Sequence, residues 1–219
     1  RRELTFYYHL RTGKAGARRA GLSDVVIRPV LTVKRDGEHV TKGYRNKGMY
    51  PVRGGKGGME AGFFAAKTHK VIPCFDCALQ PDAFGELVRA VCKLCDKYRV
   101  TAYEEPQNGV GRGKGILRHI YLRSAADGTT LLTLVINDVR LHPKAAEGLT
   151  HELEGQFPKL CGILLNINRE NTNVVLGRDY RTLAGEGYIE DVLCGKRFRI
   201  APAAFYQVNH DGAELLYGI

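Results

Sequence analysis

Residues 116–168, ILRHIYLRSAADGTTLLTLVINDVRLHPKAAEGLTHELEGQFPKLCGILLNIN, decide the fold. Ile116 to Arg123 and Thr130 to Asn137 have the length and the branched, aliphatic content of strands, and Asp127-Gly128 between them is a turn pair. Pro143 opens a helix expected over 143–156, because proline lacks the N–H that the first helical turn leaves unpaired anyway. Leu160 to Asn168 returns as an apolar strand, so the order is β-β-α-β. Upstream, Phe84, Leu87, Val88, Val91, Leu94, Cys95 and Tyr98 recur at spacings of three and four behind Pro81, which predicts a helix over about 82–98. Further upstream, Tyr44 to Val52 and Met59 to Ala66 are strand-like and joined by Gly54-Gly55-Lys56-Gly57-Gly58, a basic hairpin. Downstream, Val174 to Ile200 alternates short apolar runs with turns, and a helix begins at Asn209 whose Leu215, Leu216, Tyr217 and Ile219 lack a partner in the chain. The expected fold is α+β, a largely antiparallel sheet with two main helices.

The composition agrees with a globular chain. Of 219 residues, 44% are hydrophobic and 26% charged, which excludes disorder, collagen and coiled coil. No apolar run approaches the roughly 20 residues of a membrane span, and no apolar signal core follows Arg1-Arg2-Glu3, so a cytoplasmic protein without a membrane partner is expected. The net charge of +10 is unevenly spread: residues 1–72 hold 16 Lys and Arg against 5 Asp and Glu, residues 73–219 hold 17 against 18. A field of that kind draws polyanions, RNA first among them.

Several clusters could carry chemistry. Cys74-x2-Cys77 and Cys92-x2-Cys95 have a spacing near that of a four-cysteine zinc site, while Cys95 also lies on the apolar helix stripe, where a buried thiol needs no metal. The loop Gly109 to Gly115, with Arg112 and Lys114, could grip phosphate or be a plain hairpin loop. In Tyr44-Arg45-Asn46-Lys47, strand alternation sends Arg45 and Lys47 to one face, with Phe63 and Phe64 across the hairpin. Cations with interleaved rings suit single-stranded RNA, and a solvated face over an aromatic core is the alternative. The amides Asn166, Asn168, Asn171 and Asn173 read base edges or satisfy turns. Phe205-Tyr206-Gln207-Val208-Asn209 joins rings to an amide at a helix entry.

Taken in order, Tyr44-Arg45-Asn46-Lys47 with Tyr50-Pro51-Val52, Gly62-Phe63-Phe64, His69-Lys70-Val71-Ile72, Cys77-x-Leu79-Gln80, Leu117-Arg118-His119, Asn166-Ile-Asn168-x4-Asn173 and Phe205-x-Gln207-Val-Asn209 resemble the bacterial RNA uracil-5-methyltransferases, the 23S ribosomal RNA branch most of all. The resemblance spans residues 20–219 and implies that the chain is the central α+β RNA-recognition domain over 41–204, preceded by a basic segment over 1–40. Residues 205–219 would begin a Rossmann-like S-adenosylmethionine domain otherwise absent. It implies RNA contacts from Arg45, Asn46, Lys47, Phe63, Arg118, His119, Asn166, Asn168, Asn173 and Phe205, and a cofactor contact from Gln207. In the family a cysteine attacks C6 of uracil, C5 takes the methyl group, and a carboxylate assists deprotonation. The Ser-Cys-Asn and Asp-Pro-Pro-Arg segments that supply these groups are missing, so no catalytic residue is expected in this chain. Many members hold a 4Fe–4S cluster whose fourth ligand matches Cys77. The three N-terminal ligands have no counterpart here, which predicts no intact cluster. The partner implied is ribosomal RNA, bound by a monomer. A stand-alone basic RNA-binding module is the other reading.

Overall fold

The computed structural model describes residues 15–16, 19, 21, 31–106, 113–171 and 174–218. The chain divides into two compact units, Arg1–Val40 and Thr41–Ile219. In the first, β1 (Lys34–Arg35) and β2 (Glu38–His39) pair antiparallel around Asp36 and Gly37, both at positive φ, as a tight two-residue hairpin turn requires.

In the second unit a seven-stranded sheet forms from β3 (Lys47–Gly55), β4 (Gly58–Phe64), β5 (Val71–Pro73), β6 (Leu117–Ser124), β7 (Thr130–Ile136), β8 (Leu160–Ile167) and β9 (Asp179–Gly185). Its spatial order is β5-β4-β3-β6-β7-β8-β9. Every neighbouring pair is antiparallel except β7 and β8, which are parallel because the helix α2 (Pro143–Gln156) carries the chain back across the sheet. Pro143 stands in its first turn, and Ala145, Leu149 and Leu153, four apart, are buried. The helix α1 (Asp82–Lys97) buries Phe84, Leu87, Val88, Val91, Leu94 and Cys95, the predicted stripe, and Cys92 beside it. The two helices touch closely where Gly148 meets the Tyr98 ring; a Cβ there would lie 2.2 Å from Cζ of that ring.

Both helices cover one sheet face, built from Tyr50, Val52, Ile120, Leu122, Leu132, Leu134, Ile163 and Leu165. Alternation sends Leu131 and Leu164 to the other face. There they pack with Ile189, Leu193 and Ile200 of the hairpin β10 (Ile189–Leu193) and β11 (Lys196–Ile200), with Tyr206, and with Ala213 of the helix α3 (His210–Tyr217). Among the described residues no helix is long and apolar enough to cross a membrane.

Two expectations hold and one changes. Beside the two main helices, the helix expected from Asn209 onward forms and completes two turns: Asn209 Oδ1 accepts from the Gly212 N–H at 2.9 Å and caps α3. The glycine cluster is mostly strand: β3 runs through Gly55, β4 starts at Gly58 at φ 121°, and only Lys56 and Gly57 turn. The exposed Leu216 and Tyr217 of α3 do stand uncovered, whereas Ile219 lies outside the described residues.

Candidate nucleic-acid interface

Just before β3, the backbone of Tyr44 to Asn46 makes a second set of pairings. Arg45 bridges Asn209, Asn46 N donates to Val208 O at 2.9 Å, and the Asn46 side-chain Nδ2 donates to Gln207 O at 2.9 Å. Two motifs at opposite ends of the unit are thereby sewn together. Across the next strand, Lys47 and Arg123 are direct partners, so both side chains stand on the sheet face that carries the hairpin and α3. Arg123 is only 3% exposed. Its Nε donates to Pro202 O at 3.1 Å and to Tyr121 Oη at 3.0 Å, its Nη2 donates to Ala204 O, and Tyr121 Oη donates to Pro202 O at 2.7 Å.

The segment held this way presents its side chains in opposite senses. Tyr206 is buried, its hydroxyl donating to Asp191 Oδ2 at 2.9 Å, while Phe205 is 88% exposed. Burial holds the Lys47 ammonium below its ordinary pKa, and the neighbouring Arg123 and Arg45 lower it further. Like charges placed opposite one another on a sheet are destabilising by themselves, and an anion over Lys47 relieves them.

Four residues further along the same two strands, Pro51 pairs with His119, about 13 Å from the Lys47 and Arg123 pair at strand rise. Here a groove of about 320 Å³ is lined by Pro51, Phe64, His69, Tyr103, Arg118 and His119 among others. His119 is neutral at physiological pH: burial first, then Arg118, push its pKa down to about 4. Neither of its ring nitrogens has a hydrogen-bond partner, and the Phe64 ring meets it edge-on at 6.1 Å.

Of the residues expected to touch RNA, Arg45, Asn46, Lys47 and Phe205 come together, and His119 lies on the same strip. The others take different places. Arg118 is buried, donates to Asn168 O and Glu170 O at 2.9 and 2.7 Å, and lies over the Tyr103 ring at 4.6 Å. The Asn166 amide donates to Gly177 O and that of Asn168 to Val174 O and Val175 O, so both are spent on a loop backbone. Strand alternation turns Phe63 toward the core, 5.3 Å from the Tyr50 ring, and leaves Phe64 as the half-exposed ring of the pair. Asn173 and Arg112 lie outside the described residues. Arg123 and Tyr103 escaped the sequence reading, because only the register of β3 against β6 and the path of the chain before β6 bring them here.

No family model matches the chain. Over 198 residues, 90% of its length, it is 34% identical to an uncharacterized RNA methyltransferase of Bacillus cereus, covering 41% of that protein. It is 33% identical, over the same share, to one of Streptococcus agalactiae, covering 42%. The chain is related to RNA methyltransferases. It spans about two-fifths of the length of these RNA methyltransferase relatives. Among solved structures, the tRNA (uracil-54, C5)-methyltransferase of Pyrococcus abyssi, in complex with S-adenosyl-L-homocysteine, matches with a TM-score of 0.61 and 18% identity over 80% of this chain and 40% of that one. That likeness is one of fold.

The groups expected of such a methyltransferase can be tested against the residues present. Gln207 Nε2 donates to Tyr217 Oη at 3.0 Å, and one amide already so engaged does not make a site for S-adenosylmethionine. A 4Fe–4S cluster needs four thiolates, and zinc needs three or four ligands. Among the described residues no cluster of three or more His, Cys, Asp or Glu could hold a metal. Cys92 and Cys95 belong to the helix core, where burial pushes the Cys92 thiol up to about 12 and Cys95 in the same direction. Within the described residues, then, Cys77 stands without the further ligands that a zinc site or a 4Fe–4S cluster needs.

Proposed function

We propose that this chain is the RNA-holding part of an RNA uracil-5-methyltransferase acting on 23S ribosomal RNA, which grips a single-stranded segment and presents a uridine to a catalytic domain. The observation that carries the proposal is the junction of the Arg45-Asn46-Lys47 strand entry with the Phe205–Asn209 segment about 160 positions away, where Asn46 bonds the carbonyls of Gln207 and Val208 and Arg45 bridges Asn209. The RNA methyltransferase relatives, the likeness of fold to a uracil C5-methyltransferase and the order of the motifs all support it.

In this reading Arg45 and Lys47 hold phosphates and Phe205 offers a ring to a base. C5 and C6 of a stacked uridine are inaccessible, so the base must leave the stack. The open face of Phe205 fills the space it vacates or stacks on a neighbour. S-adenosylmethionine, bound elsewhere, supplies the methyl group. None of the six cysteines is followed by Asn, so the nucleophile of the Ser-Cys-Asn type is outside these 219 residues.

The test pairs the chain with the longer protein that its relatives exemplify. The 219-residue chain is expected to bind uridine-containing single-stranded RNA without methylating it, and the longer protein to methylate C5 of a uridine in unmodified 23S ribosomal RNA. Absence of RNA binding by the chain refutes the RNA-holding role. Methylation of transfer RNA alone refutes the ribosomal assignment.

A further inference from the structure

We infer that Arg123 is a positioning residue for Phe205, a buried splint that fixes the exposed ring before RNA arrives; this rests on the RNA-holding role proposed above. A ring that is 88% exposed gains nothing from the fold's own packing, yet its backbone is tied down on both sides. Before it, Arg123 donates to the carbonyls of Pro202 and Ala204, and Tyr121 doubles the bond to Pro202. After it, Tyr206 is anchored to Asp191, and Asn46 holds the carbonyls of Gln207 and Val208.

The choice of side chain matters. A guanidinium is a planar fork that can serve two carbonyls at fixed angles, which an ammonium cannot. Arg123 makes no ion pair among the described residues, so neutral groups, the two carbonyls and the Tyr121 hydroxyl and ring, compensate its buried charge, and it sits opposite Lys47. A buried cation in that position costs stability, and the fold gains from it a rigid Pro202–Tyr206 segment. Rigidity is worth affinity because a ring already ordered loses less freedom when a base stacks on it. Being buried, Arg123 offers no surface to a phosphate and acts only through the segment it holds.

A double-mutant cycle tests this, using the 219-residue chain and a labelled single-stranded uridine-rich oligoribonucleotide. Phe205→Ala is expected to weaken binding about tenfold, the scale of one lost stacking contact. Arg123→Gln is expected to weaken it severalfold, and the double variant to match Phe205→Ala to within about twofold, since a splint with no ring to hold has no effect. Losses that multiply in the double variant overturn the inference. Arg123→Lys keeps the charge without the fork and is expected to behave as Arg123→Gln; full affinity in that variant overturns it as well.

Amide exchange across residues 202–208 gives an independent readout. It is expected to speed up in Arg123→Gln while the Leu87–Val91 amides of α1 keep their protection, and unchanged exchange in 202–208 refutes the splint whatever the RNA affinity. Faster exchange with an unaltered affinity in Phe205→Ala removes instead the RNA role of Phe205, and the inference falls with it. If Arg123→Gln unfolds, Tyr121→Phe, which deletes the second bond to Pro202 and the hydroxyl that accepts from Arg123 Nε but leaves the guanidinium on both carbonyls, carries the same comparison in weakened form.

Discussion

Replacing Lys47 by Met should make the free protein more stable and its RNA complex weaker, two effects of opposite sign from one substitution. Lys47 and Arg123 are register partners on β3 and β6, which puts their Cβ atoms about 4.5–5.5 Å apart on one face. Burial, Arg123 and Arg45 all lower the Lys47 pKa, so in the free chain its charge is held against resistance. Like charges opposed on a sheet cost about 0.2–1 kcal/mol. Met keeps the apolar stem and removes the charge, so the melting temperature should rise by about 0.4–4 °C in a domain of this size. The sign of the pH effect follows. With the folded-state pKa below the unfolded one, the unfolded chain carries more protons in the window just under pH 10.5, and stability rises with pH there; Lys47→Met removes that rise. On RNA, one lost phosphate contact lowers the log-log salt slope by about 0.7, so between 50 and 200 mM salt the variant should lose about 2.6-fold less affinity than the parent. Calorimetric melting and anisotropy titrations over a salt series measure both. A lower melting temperature, or a salt slope equal to that of the parent, refutes the role given to Lys47.

Two further outcomes test the rest of the interface and the core. His119, held near pKa 4 by burial, binds its proton in the unfolded chain from about pH 6.5 downward but in the folded chain only near 4, so stability should fall as pH falls through that window; His119→Phe should flatten denaturant midpoints between pH 6.5 and 4, and an unchanged dependence would count against a neutral ring in the groove. In the folded protein a thiol reagent at pH 8 should modify the exposed Cys194 while Cys92 and Cys95 react only on unfolding, and Cys95→Ser, which leaves a buried hydroxyl, should cost about 1–3 kcal/mol; equal labelling rates for all three would contradict a core role for the helix pair.

Much of the fold was legible because its signals are local. Period-3.6 spacing with a proline at the entry marks α1 and α2 within a residue of their observed ends, and the Asp127-Gly128 turn marks the β6 and β7 pair. The glycine cluster is not legible in this way, because glycine tolerates extended and turn geometry alike, and the pairing of Gly54 with Met59 and of Gly55 with Gly58 takes it into the ladder. The candidate site divides along a different line. Arg45, Lys47 and Phe205 belong to motifs readable as strings, but residue type does not say which amide or cation faces out. Arg118, Asn166 and Asn168 look like RNA contacts until the loop they support is seen, and Phe63 and Phe64 exchange places by one step of strand alternation.

What the sequence alone determined, then, is the order and type of the elements, the basic third of the chain and the two motifs that point to RNA. Those depend on nearest neighbours along the chain and on charge, which survive without coordinates. Only the tertiary structure decided that the two motifs meet, that Lys47 faces Arg123, and that Arg123 spends its charge on the carbonyls beside Phe205. These are contacts between residues about 75 to 160 positions apart. They are set by strand register and by the return of the chain after β11, and no local pattern encodes either.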